Sequence, residues 1–314
     1  MTEGERKVLV TIPSYRRPDR LAVLLSVINE QRASKAGAIV NVLVIDNDPE
    51  GSARPAAEAA ATSYVLEPAR GLAAVRNRAI EEAMAAGADA LIFVDDDEIP
   101  TDGWLSELIA PWIAGSAELV SGRVVSTFEP APDPWIDAGG FFRRKEFARG
   151  ELMKAAPTNN LLVDVALLAR TGRRFEEAFG TTGGEDIHFT GALARAGARI
   201  VSAPQATVLD PVPRDRATRS WVMRRAYRVG TTTVAGDLAW QHSSAARLPR
   251  RVRWAAHGIA RVVGGAARWA LGLVTRSLVH QARGARLLSR GLGMMAGSVG
   301  IRYNEYRATP QADG

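Results

Sequence analysis

Short apolar runs alternate with helical patterns through the first 213 residues, and this alternation allows few folds. Four runs rich in β-branched residues predict buried strands at residues 7–13, 40–46, 64–67 and 89–95. Between them, as in residues 21–28, apolar side chains recur every three or four positions, which predicts amphipathic helices. The pattern therefore predicts an α/β protein with a mostly parallel sheet flanked by helices, whose ligands bind beyond the carboxyl ends of the strands.

Charge divides the chain into two predicted domains. Residues 1–213 carry a formal net charge of −8, whereas residues 214–314 carry +14. A basic segment of this kind favours an anionic partner, either a membrane surface or a nucleic acid. The alternative is base composition, because 36 arginines against 4 lysines are typical of a GC-rich genome. The absence of cysteine excludes disulfides and thiolate chemistry and fits a reducing, cytoplasmic location.

Several common classes of protein lack support in this sequence. No Gly-x-Gly-x-x-Gly turn follows the first predicted strand, and no P-loop motif is present. The charged N-terminus does not resemble an export signal, and no apolar stretch approaches the roughly 18 residues that a membrane span needs. These observations argue against a classical dinucleotide-binding protein, a P-loop NTPase and an integral membrane protein.

Carboxylates gather at the ends of two predicted strands. The second strand ends at Asp46 and is followed closely by Asp48, while residues 95–98 are four consecutive acids after the fourth strand. Adjacent like charges repel unless a cation relieves them, and carboxylate oxygens suit Mg²⁺ or Mn²⁺ bound together with substrate phosphates. This pattern predicts a metal–diphosphate site. The alternative is that Asp97 or Asp102 caps the helix that follows.

A second candidate segment spans residues 181–189. Its glycines, including Gly184, allow a ligand to approach the backbone closely. Glu185 and Asp186 then open a predicted helix, where a carboxylate can accept a proton from a bound hydroxyl. Helix capping by Asp186 explains the same residues equally well.

In their order and spacing, these segments resemble the family 2 glycosyltransferases of the GT-A fold, which is Rossmann-like. The matching segments are residues 11–18, 46–48, 71–77, 95–97, 158–162 and 183–186. The resemblance covers about residues 7–240. Within the family, the chain is most similar to bacterial exopolysaccharide glucosyltransferases of the succinoglycan β-1,4 type, on the strength of residues 46–54, 95–105, 210–213 and 225–231.

The resemblance implies a role for each matching residue. It places the UDP-hexose donor against Pro13, Tyr15, Arg17, Asp46, Arg76, Asp95 and Asp96. It makes Asp97 the ligand of a Mg²⁺ or Mn²⁺ cofactor and Asp186 the catalytic base, with Gly184 and Glu185 at the acceptor. One base without an enzyme nucleophile implies inversion. The chain departs from its relatives at His188, where they often have a second acid.

The resemblance also implies a polyprenyl-diphosphate-linked saccharide acceptor at the inner leaflet, and hence a cytoplasmic protein peripherally associated with the membrane. Arg225 and Arg228 share one helix face, which either binds phosphates or is simply solvated. Beyond Arg247, arginines and apolar residues occupy opposite faces of predicted helices, as in helices lying on an anionic membrane. The same apolar stripe would equally serve packing on the catalytic domain or dimerisation. No aromatic–basic stacking motif supports nucleic acid as the partner.

Residues 1–213 are thus predicted to form the GT-A nucleotide-sugar-binding and catalytic domain. Residues 214–314 are predicted to form a basic, helical, membrane-proximal extension. The alternative function is a non-catalytic nucleotide-sugar-binding or membrane-surface scaffold with the same fold. A glycoside hydrolase, which also uses two carboxylates, explains neither the three consecutive aspartates nor the base-binding elements.

Overall fold

The predicted strands assemble into one mixed sheet. The computed structural model describes residues 5–33, 37–177, 184–241 and 243–301. The strands in these residues are β1 (Lys7–Ser14), β2 (Ile39–Asp46), β3 (Ser63–Leu66), β4 (Ala90–Phe93), β5 (Ile99–Pro100), β6 (Leu119–Thr127), β7 (Leu152–Met153), β8 (Leu161–Asp164) and β9 (Ile200–Pro211). Their order is β3-β2-β1-β4-β8-β6-β9-β5, and β7 pairs with β9. The first four are parallel, as predicted, whereas β8 pairs antiparallel with both β4 and β6.

Helices connect these strands and continue beyond the sheet. They are α1 (Pro18–Ala33), α2 (Arg54–Ala59), α3 (Leu72–Ala85), α4 (Trp104–Ile113), α5 (Pro134–Gly139), α6 (Val165–Thr171), α7 (Glu185–Arg195), α8 (Arg219–Ala239), α9 (Ser244–Val274) and α10 (Leu278–Ser298). The helical pattern at residues 21–28 falls inside α1, and the basic C-terminal pattern forms α9 and α10. The prediction of an α/β sheet followed by a helical extension is confirmed.

The described chain divides into two compact units, and the first holds the sheet. It consists of residues 5–125, 144–177 and 185–211. Alternate residues of a strand point to opposite faces, so Val8 and Val10 of β1 pack with α1 and α4 while Leu9 packs with α3 and α7. Helices therefore cover both faces, as parallel strands require. In a sheet of this kind, a ligand is expected at the carboxyl ends of the strands, here those of β1, β2 and β4.

The second unit is helical and includes a segment from the middle of the chain. It consists of residues 126–143, Gly184 and the described residues from Val212 onward. Residues 126–143, expected within the first domain, belong here because Trp135 and Phe141 pack with Val222 of α8 and Ala282 of α10. The C-terminal part of this unit begins two residues before the predicted boundary at residue 214.

Glycines bring α9 and α10 together. Gly258, Gly265 and Gly272 recur every seven residues on the face of α9 that meets α10. A Cβ atom at Gly265 would lie 2.6 Å from the backbone nitrogen of Leu288, closer than real Cβ contacts allow. The two backbones are therefore in direct contact along this face, which we call the glycine seam. None of the described helices is both long enough and apolar enough to span a membrane.

Candidate active site

The turn after β4, residues 95–98, which we call the acidic turn, lies beside the end of β1. The backbone nitrogen of Glu98 donates to the carbonyl of Asp95 across 3.2 Å and closes the turn. The Ser14 hydroxyl donates to Asp96 Oδ2 at 3.1 Å. Arg17 Nη1 lies 3.1 Å from Asp96 Oδ1 and 2.7 Å from Asp97 Oδ2. Arg17, predicted to bind the donor, is thus adjacent to Asp97, predicted to bind the metal, although the two lie 80 positions apart in the sequence.

The carboxylates of this turn do not cap the helix that follows. The N-cap of α4 is Gly103, which has a φ of 75° and makes no side-chain cap, so neither Asp97 nor Asp102 serves in this way. Both contacts of Asp97 involve Oδ2, at 2.7 Å from Arg17 and 3.7 Å from Arg20. Among the described residues, no hydrogen bond is made to Oδ1, which leaves a carboxylate oxygen for a cation.

This arrangement fits a magnesium or manganese ion that is held jointly with a substrate. Within the described ranges, no three His, Cys, Asp or Glu side chains converge as a cage for a metal. Such a cage is not required, because Mg²⁺ is ordinarily bound by one or two carboxylates together with substrate phosphates and water. Asp97 offers one hard oxygen of that kind. The residues present therefore fit a divalent cation that arrives with a diphosphate.

A buried arginine connects the acidic turn to α7. Arg76 Nη1 lies 2.7 Å from Glu185 Oε1, and Arg76 Nη2 lies 3.9 Å from Asp95 Oδ1. Burial alone would lower the pKa of Arg76, but Asp95, Glu185 and Asp186 together raise it, so the guanidinium stays charged. Burial, aided by Asp96 and Asp97, raises the pKa of Asp95 to about 6 despite the attraction of Arg76. A cation bound here would offset the repulsion among the carboxylates of Asp95, Asp96 and Asp97.

Glu185 faces this arginine with one oxygen and leaves the other unused. The Glu185 side chain is buried, and Oε2 has no hydrogen-bond partner among the described residues. Its predicted place at the acceptor remains a prediction. The structure shows a buried ion pair that joins Glu185, at the start of α7, to Arg76 of α3.

Asp186 lies half-buried in the first turn of α7. Its Oδ1 accepts a hydrogen bond of 2.7 Å from the backbone nitrogen of the next residue, Ile187. Gly184 has a φ of 93°, which a residue with a side chain rarely adopts. His188 is buried in the same helix, and burial lowers its pKa. Residues 181–183 of the predicted motif lie outside the described residues.

The predicted base-binding residues occupy the ends of β1 and β2. Asp46 is fully buried and accepts three hydrogen bonds, from the nitrogens of Asp48 and Ala53 and from the Tyr64 hydroxyl, at 2.8–3.1 Å. These contacts order the loop after β2, and a further contact of Asp46 with a base stays a prediction. Pro13 pairs with β2, and the ring of Tyr15 is 49% exposed. The guanidinium of Arg16 lies over the Tyr15 ring, 5.4 Å from its centroid, and a contact of Tyr15 with a base stays a prediction.

The two arginines predicted at phosphates belong to α8, in the second unit. The guanidinium of Arg225 lies over the rings of Phe142 and Trp221, with its centre 5.5 Å and 5.4 Å from the ring centroids. Arg228 lies three residues further along the same helix. A role for either residue at a phosphate remains a prediction.

Sequence reasoning gave no separate role to Glu98, the last residue of the acidic turn. In the structure its carboxylate is buried and accepts hydrogen bonds that hold the turn in place. Glu98 Oε1 accepts a 2.7 Å hydrogen bond from Asn159 Nδ2, and Oε2 accepts a 3.4 Å one from the nitrogen of Asp95. Arg144 then bridges Asn159 to Asp210, at 3.3 and 3.4 Å. Glu98 is almost wholly buried, and burial raises its pKa well above the usual value. The signal available in the sequence was a fourth acid that directly precedes Ile99 and Pro100.

We expect Glu98→Ala to destabilise the fold by about 1–3 kcal/mol, because Asn159 Nδ2 and the nitrogen of Asp95 lose their acceptor in a buried place. Glu98→Gln keeps an oxygen for Asn159 and should cost less. The raised pKa means that the folded state holds a proton that the unfolded state releases, so wild-type stability should fall as the pH rises above the usual glutamate pKa. Urea unfolding across pH measures both effects. A pH dependence unchanged in Glu98→Gln would contradict this assignment.

Comparison with known proteins places this chain in a family. The family model for glycosyl transferase family 2 matches residues 9–168, which include the acidic turn, β8 and all but the first two residues of β1. A succinoglycan biosynthesis protein, ExoM of Rhizobium meliloti, is 32% identical over 231 residues, or 71% of this chain and 72% of ExoM. The chain therefore belongs to glycosyl transferase family 2, and the predicted membership is confirmed.

Two solved structures have a similar fold. The mannosyltransferase PcManGT of Pyrobaculum calidifontis, in complex with GDP-Man and Mn²⁺, is 18% identical with a TM-score of 0.59 over 94% of this chain and 88% of its own. Residues 1–349 of S. aureus TarS, in complex with UDP, are 15% identical with a TM-score of 0.50, covering 95% of this chain and 93% of that one. The predicted GT-A fold is confirmed.

Proposed function

We propose that this chain is an inverting, metal-dependent glycosyltransferase that moves a hexose, glucose from UDP-glucose, onto a lipid-linked oligosaccharide in exopolysaccharide biosynthesis. The observation that carries this proposal is the arrangement around Arg76. The acidic turn and the first turn of α7 meet at one buried cation. Residues that would hold a donor diphosphate are thereby joined to a carboxylate that can receive an acceptor proton.

The donor would lie along the ends of β1, β2 and β4. Tyr15 would lie against the uracil, with Pro13, Asp46 and Arg76 around the base. Asp95 and Asp96 would bind the ribose side of the donor, where Asp96 is held in place by Ser14 and by Arg17. Asp97 is the next residue along the turn and would face the diphosphate.

A divalent cation, Mg²⁺ or Mn²⁺, would be held by Asp97 and would supply Lewis-acid stabilisation of the diphosphate when bound. Arg17 holds Asp97 on Oδ2, and burial opposes but does not overcome the rise in the Arg17 pKa caused by Asp97 and Asp96. Arg17 therefore remains a fixed positive charge at the turn. It orients the carboxylate so that Oδ1 stays available.

Asp186 would act as the general base. It would take the proton of an acceptor hydroxyl while the hydroxyl oxygen forms a bond to the anomeric carbon and the bond from that carbon to the diphosphate oxygen breaks. UDP leaves with the electron pair. Attack from the face opposite the leaving group inverts the configuration, so an α-linked donor gives a β-glycoside. The buried pair of Arg76 and Glu185 would hold Asp186 at this position.

The nature of the acceptor is proposed from the relative. Succinoglycan is a polysaccharide, and the assembly of such polymers on polyprenyl diphosphate would place the growing saccharide at the inner face of the cytoplasmic membrane. We therefore propose a cytoplasmic protein that associates peripherally with that face. Arg225 and Arg228 of α8 are candidates for contact with phosphates of the acceptor or donor.

Titration calorimetry of UDP-glucose, UDP-galactose and GDP-mannose, each with and without Mn²⁺, tests this proposal. We expect the UDP-sugars to bind and their affinity to rise with Mn²⁺, with UDP-glucose the strongest ligand. Preference for GDP-mannose would contradict the assigned donor. Absence of binding by every nucleotide sugar would contradict the enzyme itself and favour a scaffold that kept the GT-A fold.

A further inference from the structure

The outward face of α9 is apolar along its whole length. Apolar residues recur every three or four positions on this face, and all of them are exposed: Leu248, Val252, Ala256, Ile259, Val263, Ala267, Ala270 and Val274. The exposed fractions reach 64% for Leu248, 63% for Val263 and 84% for Val274. We call this set the α9 stripe. It exceeds the scattered apolar residues of an ordinary surface, because it is continuous over a 31-residue helix.

The opposite face of α9 is already occupied. The glycine seam, which includes Gly258 and Gly265, places that face directly on the backbone of α10. A Cβ atom at Gly258 would lie 2.9 Å from the carbonyl oxygen of Gly291. Because α9 cannot turn about its axis without losing this packing, the α9 stripe is held outward.

Positive charge borders the α9 stripe. α9 carries six arginines and no aspartate or glutamate. Arg251 and Arg253 are exposed on either side of Val252. Arg250 is paired with Asp237 of α8 at 2.9 Å, so among the described residues the unpaired positive charge beside the stripe is assigned to Arg251 and Arg253. An apolar centre with cationic flanks is the pattern of helices that lie in a membrane interface.

We propose that the α9 stripe lies on an anionic phospholipid bilayer, with its apolar side chains between the headgroups and its arginines at the lipid phosphates. This inference deepens the proposed function and rests on it for the membrane-borne acceptor. It names one helix face, whereas the sequence pattern distributed the apolar residues over two helices. A second copy of the chain fits this surface less well, because it would bring the exposed Arg251 and Arg253 of both copies together, and α9 carries no aspartate or glutamate to pair with them.

Vesicle sedimentation of the full chain tests the inference. We expect binding to vesicles of phosphatidylcholine and phosphatidylglycerol, little binding to phosphatidylcholine alone, and weaker binding at high salt. The double variant Ile259→Ser with Val263→Ser removes apolar surface without changing the charge. It should lower the partition coefficient by about tenfold or more. The matched control is Val23→Ser with Leu152→Ser, two exposed apolar residues of the first unit, and it should bind as the wild type does.

Calorimetry and light scattering distinguish failure of this inference from failure of the proposed function. Calorimetry with UDP-glucose and Mn²⁺ should give the same affinity for both double variants, since neither touches the nucleotide site. Loss of vesicle binding in the α9 variant alone supports the inference. Equal vesicle binding by both variants, or no binding by the wild type, overturns it. A wild-type dimer in light scattering that the α9 variant converts to a monomer also overturns it, in favour of a second copy.

Discussion

Replacing Asp186 by asparagine should lower hexose transfer by roughly 10²–10⁴-fold, the range that a positioned general base contributes. Asparagine keeps the size of the side chain and an oxygen that can accept the hydrogen bond from the Ile187 nitrogen. The start of α7 should therefore remain folded. What is lost is the ability to take the proton of an acceptor hydroxyl, so the effect should fall on turnover and not on the binding of UDP-glucose.

The measurement pairs two assays on the same preparation. Incorporation of labelled hexose from UDP-hexose into a membrane lipid extract reports transfer, and calorimetry reports donor affinity. The control is Asp102→Asn, which makes the same chemical change at an exposed aspartate that neither caps α4 nor belongs to the acidic turn. Transfer by Asp186→Asn at the wild-type rate would place the base elsewhere. A parallel loss of donor affinity would mean that Asp186 acts on the donor.

The strands that position this site were predictable because their sequence signal is local. Residues 40–46 are an apolar, β-branched run that becomes β2, and the run at residues 89–95 becomes the shorter β4, Ala90–Phe93. The carboxyl-end location of Asp46 and Asp95 followed from parallel topology alone. Burial on both faces of a parallel sheet makes such runs continuous, so the prediction needed no long-range information.

The contacts that give the site its electrostatics were not predictable in this way. Glu98 stands in a run of acids, and only the fold brings it to Asn159, 61 positions later. The pairing of Arg76 with Glu185 spans 109 positions. Such pairs form only when the fold brings distant segments together and their side chains point toward each other. Local sequence propensity does not specify either condition. The resemblance proposed the site residues, whereas the structure shows which side chains they contact.

In the helical extension, too, the elements were predictable from the sequence whereas their contacts were not. The amphipathic pattern beyond Arg247 predicted helices correctly, because its period is local. It did not distinguish apolar residues that pack from those that stay outside: Leu288 meets the glycine seam, whereas Val263 is exposed. The glycines at seven-residue spacing were the sequence signal for the packed face, because close contact between two helices needs small residues on one face. The opposite face of the helix then remains exposed.

Asp97→Ala should abolish most of the metal dependence of UDP binding. Asp97 Oδ1 is the carboxylate oxygen of the acidic turn that we assign to the cation, and no described residue competes for it by hydrogen bond. Without it, an ion would be held by the diphosphate and water alone. We expect the affinity for UDP in the presence of Mn²⁺ to fall by about tenfold or more, which corresponds to roughly 1.4 kcal/mol.

The affinity for UDP in the absence of metal provides the internal comparison. Arg17 keeps its 3.1 Å contact with Asp96 when Asp97 is removed, so it should remain at the turn with its charge less neutralised. Metal-free UDP binding should consequently be unchanged or slightly stronger in Asp97→Ala. Calorimetric titrations of UDP over a series of Mn²⁺ concentrations measure both quantities, with Asp102→Ala as the control for loss of one carboxylate. Mn²⁺ dependence in Asp97→Ala equal to that of the control would show that the cation is held by other residues.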